Sequence, residues 1–244
     1  MKTVSLFLWT LAALFGCKSK DMDDVPYVQP ATNTAPVPMP TGNGTAVTYL
    51  ALGDSYTIGE TVTAPESFPY QLTAELNKLN YKAAAPVIIA RTGWTTDELI
   101  NAISVQNLAQ KFDIVTLLIG VNNQYRGYNI NTYRTEFVQL LNTAISYANG
   151  NKKHVFVVSI PDWGVTPYAS GRDRNKIAAE IDQYNAINKQ ETEKAGISYT
   201  NITPGSRLAA QDRTLIAADG LHPSGKMYAQ WVQQLIVEVA KSLK

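Results

Sequence analysis

From residue 47 onward, short apolar runs alternate with longer segments in which apolar positions recur at helical spacing. The apolar runs are VTYLALG, PVIIA, DIVTLLIG, HVFVVSI and a weaker ISYTNI, and they are typical of buried strands. The segments with helical spacing are SFPYQLTAELNKLN, TTDELINAI, YRTEFVQLLNTAISYA, RDRNKIAAEIDQYNAINKQETEKAG and SGKMYAQWVQQLIVEVAKSL. Because strands that are apolar throughout alternate with helices, the pattern predicts one α/β domain over 47–244. Its sheet is expected to be parallel, with helices covering both faces.

Individual residues indicate how the predicted helices face the core and where they end. In the first helix, Phe68, Leu72, Leu76 and Leu79 fall on one face. A threonine at the start of TTDELINAI can cap the second helix. The long fourth helix is expected to stop at Gly196, because glycine readily adopts the left-handed conformation that ends a helix.

The N-terminal sequence has a different pattern. Residues 1–16 read MKTVSLFLWTLAALFG, a lysine followed by an apolar run that is shorter than the ~20 residues needed to span a bilayer. The run fits the apolar region of a secretory signal peptide. The following LFGC resembles the bacterial lipobox, which implies cleavage after Gly16 and a lipid on Cys17. The alternative is an ordinary signal peptide that contains a cysteine by chance.

Residues 17–46 are expected to form a disordered tether between the lipid and the folded domain. The stretch VPYVQPATNTAPVPMPTGNGTA holds five prolines and has no hydrophobic period. Proline-rich polar sequence buries too little apolar surface to fold, so it stays extended. The alternative is a plain disordered leader, which differs from a tether only if the lipid is absent. With the lipid, the protein would be anchored in the bacterial cell envelope, on the periplasmic face or the cell surface.

Composition narrows the class of protein. The chain has 244 residues, enough for one α/β domain with a sizeable core, and a net charge of +1 with no basic stripe that would suit nucleic acid. A single cysteine cannot form an intramolecular disulfide or a cysteine-rich metal site. We expect a monomer that contacts the membrane through the Cys17 lipid and binds no nucleic acid.

The polar residues of interest follow the predicted strands. The segments are 53–55, 91–93, 120–123 and 161–163 after successive strands, and 219–223 before the last helix. In a parallel α/β sheet, ligands bind at the carboxyl ends of the strands. The sequence therefore places its candidate site at that edge of the sheet.

A serine hydroxyl is a weak nucleophile unless a base, usually histidine, takes its proton. The chain has two histidines. His154 stands at the start of a predicted strand, the wrong end of the sheet for catalysis, and is interpreted as structural. His222 lies in DGLHPS, where Asp219 is close enough to orient the ring. Ser55 follows the first strand, but GDS alone can also be a turn that caps a helix.

Neighbouring residues leave a non-catalytic interpretation of His222 open but argue against other enzyme classes. Pro223 disfavours helix at the preceding residue, and Ser224 can cap the helix that follows, so DGLHPS can also be a capping loop with a chance histidine. Thr57 stands where the G-x-S-x-G elbow needs its second glycine, which argues against an α/β-hydrolase. The sequence has no P-loop and no G-x-G-x-x-G motif.

GDSYTIG, an isolated Gly93, GVNN and DGLH occur in the order of the conserved blocks of the SGNH (GDSL) hydrolase family, and the resemblance covers about residues 50–226. It implies a three-layer, flavodoxin-like α/β sandwich with a five-stranded parallel sheet. It also implies a Ser55–His222–Asp219 triad, in which Ser55 is the nucleophile and His222 is the general base.

The same resemblance implies that an oxyanion hole is formed by the Ser55 amide, the Gly93 amide and the Asn122 side chain. Two positions depart from the family pattern. Tyr56 replaces the commoner leucine, and Asn123 replaces the usual aspartate. Neither change removes a group that the mechanism needs.

The sequence thus predicts a serine ester hydrolase that forms an acyl-enzyme and requires no metal or cofactor. Loop residues at the catalytic edge are candidates for contact with a small-molecule or glycan ester, by stacking on a sugar or lining an acyl groove. They are Trp94, Tyr125, Arg126, Trp163 and Tyr168. Export and tethering favour removal of O-acyl or O-acetyl groups from carbohydrate. The alternatives are a lysophospholipase or thioesterase, or a tethered solute-binding lipoprotein without catalysis.

Overall fold

The computed structural model describes residues 44–244. The proposed signal peptide, Cys17 and nearly all of the proposed tether lie outside the described residues. Within the described part of the chain, no helix is long and apolar enough to cross a membrane.

Parallel strands form the centre of the domain. The strands are β1 (Ala46–Val47), β2 (Tyr49–Asp54), β3 (Lys82–Ala83), β4 (Val87–Arg91), β5 (Ile114–Leu118), β6 (Val155–Val158) and β7 (Ser198–Thr200). Five of them form one sheet in the order β4-β2-β5-β6-β7, and all neighbours in it are parallel. Counted along the chain within this sheet, the order is the flavodoxin-like 2-1-3-4-5. The predicted α/β class and five-stranded parallel sheet are confirmed.

Helices cover both faces of the sheet. They are α1 (Ser55–Ile58), α2 (Phe68–Lys78), α3 (Thr96–Gln106), α4 (Val121–Tyr125), α5 (Ile130–Tyr147), α6 (Arg174–Lys194), α7 (Thr203–Arg207) and α8 (Gly225–Ser242). Helix α2 packs on α8, whereas α5 packs on both α3 and α6. Each connection between parallel strands is a right-handed crossover, and its direction decides which face its helix covers. The β2-to-β4 connection runs in the opposite direction from the connections β4-to-β5, β5-to-β6 and β6-to-β7, so α2 lies on one face and α3, α5 and α6 lie on the other.

The first strand prediction needs a correction at Thr48. VTYLALG was expected to be one strand, but β1 and β2 are separate, and β1 instead pairs with β3 in a small parallel ladder. At the break, the Thr48 amide and hydroxyl both donate to the Asp113 carboxylate at 2.8 Å. A local hydrophobic pattern carries no information about this distant partner.

The first helix also ends differently from its prediction. Phe68, Leu72 and Leu76 are fully buried, and each such side chain contributes ~1.5–3 kcal/mol of hydrophobic free energy. Leu79, expected on the same face, is 52% exposed because it is the C-cap residue, one position beyond the last helical residue. Thr95 and Ser224 cap α3 and α8 as predicted.

The order of the strands reverses at β2. The chain passes from β2 to β4 on one side and then to β5 on the other side of β2. The carboxyl ends of β2 and β5 therefore border a crevice, which is where this topology binds ligands. Helices α1 and α4 begin at these two strand ends, so the crevice receives Ser55 and Asn122.

Candidate active site

A tight strand-to-helix turn places Ser55 at the end of β2. Asp54 caps α1 by accepting a 3.0 Å hydrogen bond from the Tyr56 amide, and Ser55 is the first helical residue. Gly53 is required by close packing, because a Cβ there would lie 2.1 Å from the Thr57 hydroxyl and 2.3 Å from the Leu118 carbonyl oxygen. The Thr57 side chain thus occupies the space that a larger residue at position 53 would need.

The loop before α8 holds His222 through Asp219. The imidazole Nδ1–H donates to one Asp219 carboxylate oxygen at 2.5 Å, and the Leu221 and His222 amides donate to the other at 3.0 Å. Because Nδ1 carries the proton in this arrangement, Nε2 presents its lone pair and can act as a base. Asp219 therefore fixes both the tautomer and the orientation of the ring, as the triad requires.

Burial and hydrogen bonding act in opposite directions on the Asp219 carboxyl. Partial burial raises its pKa, but the hydrogen bonds from the His222 ring and from the Leu221 and His222 amides outweigh this effect. The net result is a lowered pKa, so Asp219 is ionised at neutral pH.

Ser55, His222, Gly93 and Asn122 all line one cavity of about 130 Å³. The structure therefore brings these residues together, with Asp219 bound to His222 from the side. The other lining residues are Tyr56, Thr92, Val121, Tyr125, Trp163, Tyr168 and Leu221. Serine, imidazole and amide donors around one small space are the groups needed for acyl transfer.

Hydrogen bonds with Trp94 and Arg126 hold two of the proposed oxyanion donors in place. The Asn122 side-chain amide donates to the Trp94 carbonyl oxygen at 2.9 Å, and its second N–H remains for a ligand in the cavity. Gly93 has φ +83°, which favours glycine, and its carbonyl oxygen accepts from the Arg126 guanidinium at 2.7 Å. The Gly93 amide donates to no acceptor among the described residues.

The Asn123 side chain lies elsewhere. It is fully buried, accepts a hydrogen bond from the Thr96 amide at 3.1 Å and donates to the Thr96 hydroxyl at 2.7 Å. Asn123 thus joins α4 to the start of α3 and does not line the cavity that Asn122 lines.

Three of the five candidate substrate contacts line the cavity: Tyr125, Trp163 and Tyr168. The other two candidates, Trp94 and Arg126, do not line this cavity. Trp94 packs half-buried against the hydrophobic core, and its carbonyl group accepts from Asn122. Arg126 pairs with Glu98 at 3.2 Å, supports the Gly93 turn and lines a neighbouring groove between α4 and α6.

His154 lies just before β6, at the opposite end of the sheet from Ser55. Its Nε2 is 3.2 Å from the Ser242 carbonyl oxygen at the end of α8. This contact fits the structural role predicted for it.

Sequence reasoning missed two residues beside the cavity. In the sequence Tyr56 stands out only as a departure from the family pattern, yet its ring packs on His222. Arg172 belongs to none of the sequence motifs, yet its guanidinium lies 5.1 Å from the centre of the Tyr125 ring. The position of Tyr56 next to Ser55 was a usable signal, whereas nothing in the local sequence distinguishes Arg172.

Comparison with known proteins places the chain in a family. A family model described as GDSL-like lipase/acylhydrolase matches residues 51–230. No curated protein matches the chain.

Several solved structures share the fold. A lipase/acylhydrolase from Enterococcus faecalis has a TM-score of 0.63 at 17% identity, covering 80% of this chain and 96% of that one. The psychrotrophic esterase EstA from Pseudoalteromonas sp. has a TM-score of 0.62 at 15% identity, with 80% and 98% covered. Axe2, an acetylxylan esterase from Geobacillus stearothermophilus, has a TM-score of 0.61 at 17% identity, with 80% and 95% covered. At these identities the likeness establishes the fold alone.

Proposed function

The chain belongs to the GDSL-like lipase/acylhydrolase family and is an ester hydrolase; within that family, we propose that it removes short O-acyl groups, such as acetyl, from carbohydrate, with Ser55 as nucleophile. The observation that carries the proposal is the cavity of about 130 Å³, which joins Ser55 and His222 to the aromatic side chains of Tyr125, Trp163 and Tyr168.

The first half of the reaction forms an acyl-enzyme. The Ser55 hydroxyl oxygen attacks the ester carbonyl carbon while its proton passes to His222 Nε2. Asp219 stabilises the resulting imidazolium. The carbonyl electron pair moves onto oxygen, where the Ser55 amide, the Gly93 amide and the Asn122 side chain donate hydrogen bonds. Each such donor lowers the barrier by about 3 kcal/mol. Collapse of the tetrahedral intermediate breaks the ester C–O bond, and the leaving alcohol takes the proton from His222.

The second half releases the acid. Water attacks the acyl-Ser55 carbonyl, and His222 again accepts the proton. The same donors stabilise the second oxyanion, and its collapse returns the proton to Ser55. The products are a free carboxylic acid and regenerated enzyme.

The size of the cavity supports a short acyl group. Sites for drug-sized ligands typically measure ~300–1,000 Å³, so a cavity of about 130 Å³ favours acetyl over a long fatty chain. The rims of the cavity support a sugar as the alcohol. Tyr125 and Tyr168 are 43% and 46% exposed, and exposed aromatic faces can stack on apolar faces of sugar rings.

Two measurements test the proposal. A fluorophosphonate probe should label the wild-type protein and not Ser55→Ala; equal labelling of both would remove Ser55 as nucleophile. Acetylated glycans should then be turned over with a higher kcat/KM than lysophospholipids or long-chain acyl thioesters. A preference for either lipid substrate would replace the carbohydrate proposal with the lysophospholipase or thioesterase alternative.

A further inference from the structure

A second groove lies beside the catalytic cavity, between α4 and α6. It has a volume of about 740 Å³ and is more open than the first. Tyr125 and Trp163 line both spaces, so the two are neighbours across these side chains. The groove therefore begins where the catalytic cavity ends.

The boundary between the two spaces is an aromatic cluster formed by Tyr125, Trp163, Tyr168 and Arg172. The Tyr125 and Trp163 ring centroids are 5.4 Å apart, and the Tyr125 and Tyr168 hydroxyl oxygens are 3.2 Å apart. The Arg172 guanidinium lies 5.1 Å from the Tyr125 centroid and 5.5 Å from the Trp163 centroid, and it donates to the Tyr125 hydroxyl at 3.0 Å. These contacts fix the positions of the aromatic rings and of the guanidinium in the protein without ligand.

Within residues 44–244, Arg172 forms no ion pair with a carboxylate. Several of its N–H donors are therefore not committed to an acidic partner. An exposed guanidinium that is stacked on aromatic rings offers both a planar surface and hydrogen-bond donors to a polar ligand.

The rest of the groove combines polar and apolar side chains. Its walls include Tyr128, Lys176, Glu180, Gln183 and Tyr184, together with Ile130 and Ile177. Hydrogen-bonding groups thus lie beside aromatic and aliphatic side chains along an open surface. A fatty chain would gain little there, because it needs an enclosed apolar channel. A chain of sugar units has both hydroxyl groups and apolar ring faces, and matches this lining.

We propose that the groove binds the sugar units that flank the acylated residue of an oligosaccharide or polysaccharide, with Tyr125 and Arg172 at the junction. This inference rests on the proposed carbohydrate esterase function and extends it to a polymeric substrate. The groove volume lies within the ~300–1,000 Å³ range of sites that bury most of a drug-sized ligand, which suits a short stretch of glycan.

The test is the dependence of kcat/KM on chain length. Monoacetylated oligosaccharides of one to five units would be compared, with the ratio of kcat/KM for the longest to the shortest as readout. For the wild type we expect this ratio to be about 10 or more, since one added stacking contact is worth about tenfold. Gln183→Trp should fill the groove and bring the ratio close to 1. Arg172→Ala should lower it through a rise in KM for the longer substrates.

Gln139→Trp is the matched control, because Gln139 is also an exposed glutamine on a long helix but lines a separate surface cavity on α5. It should keep the wild-type ratio. If Gln183→Trp kept the ratio as fully as Gln139→Trp does, the flanking units would bind elsewhere and the groove proposal would be wrong.

The two proposals fail in different ways. Equal kcat/KM for all chain lengths in the wild type would overturn the groove proposal while leaving carbohydrate ester hydrolysis intact. Turnover of lysophospholipids with no turnover of any acetylated sugar would overturn the proposed function and the groove proposal with it.

Discussion

The Tyr56 ring and the His222 imidazole pack in an edge-to-face arrangement, with ring centroids 5.6 Å apart and ring planes at 64°. Tyr56 is itself buried and packs edge-on against Trp231 at 6.4 Å. His222 is thus held by Asp219 through a hydrogen bond and by Tyr56 through packing. The residue next to the proposed nucleophile therefore helps to position the proposed base.

This packing predicts that the ring of Tyr56 matters for the rate of the chemical step. Tyr56→Ala should lower kcat at least ~10-fold, because a misplaced base costs rate even when it is present. It should also destabilise the fold by ~3–5 kcal/mol, as large-to-small core substitutions do. Tyr56→Phe keeps the ring and should retain most of kcat. Kinetics and urea unfolding of the three proteins check this, and a Tyr56→Phe loss as large as that of Tyr56→Ala would assign the effect to the hydroxyl.

The adjacent residues Asn122 and Asn123 should respond differently to alanine. Asn122→Ala removes a donor that acts mainly in the transition state, so kcat should fall ~100-fold or more with little change in KM. Asn123→Ala removes two hydrogen bonds to Thr96 and should mainly lower the free energy of unfolding, by ~1–3 kcal/mol. Kinetics and unfolding curves of both variants separate the two effects. A larger kcat loss for Asn123→Ala would reassign the oxyanion donor.

The buried Asp54 carboxyl predicts a pH-dependent stability. Burial raises its pKa from the ordinary value of 3.8 to about 8, against the opposing effect of its hydrogen bond from the Tyr56 amide. At a pH between these two pKa values, Asp54 keeps its proton in the folded protein and has lost it in the unfolded chain. The free energy of unfolding should therefore fall as pH rises from about 4 to about 8.

Asp54→Asn offers the direct check, since it is neutral at every pH and keeps an acceptor for the Tyr56 amide. Urea unfolding at pH 5, 6, 7 and 8 should show a smaller decline for this variant than for the wild type. Asp219 does not confuse the comparison, because its lowered pKa places its own contribution at more acid pH. Parallel curves for the two proteins would mean that Asp54 is ionised in the folded state.

We propose that Cys17 carries a lipid in the bacterial envelope, as its place in LFGC indicates. Metabolic labelling with a palmitate analogue should tag the wild-type protein in the membrane fraction. Cys17→Ser should be unlabelled, because the thiol is the acceptor. An unlabelled wild-type protein that fractionates with the soluble periplasm would contradict the anchor and leave an ordinary signal peptide.

The sequence by itself determined the α/β class, because strands buried on both faces must be apolar throughout and the intervening helices must be amphipathic. It also placed Ser55, Gly93, Asn122 and His222 at one edge of the sheet, since the ends of parallel strands meet there. These conclusions depend on local pattern and on the order of short motifs, both of which are visible in one dimension.

Only the tertiary structure decided which residues near that edge face the cavity. Trp94 and Tyr125 are both aromatic loop residues, yet Trp94 packs on the core and Tyr125 lines the cavity. Tyr56 meets His222, and Arg172 meets Tyr125, across long stretches of chain. Such contacts depend on how separate elements pack against one another. The sequence next to Tyr56 indicates that it lies near the nucleophile but not that it packs on His222, and the sequence around Arg172 indicates neither its place nor its partner.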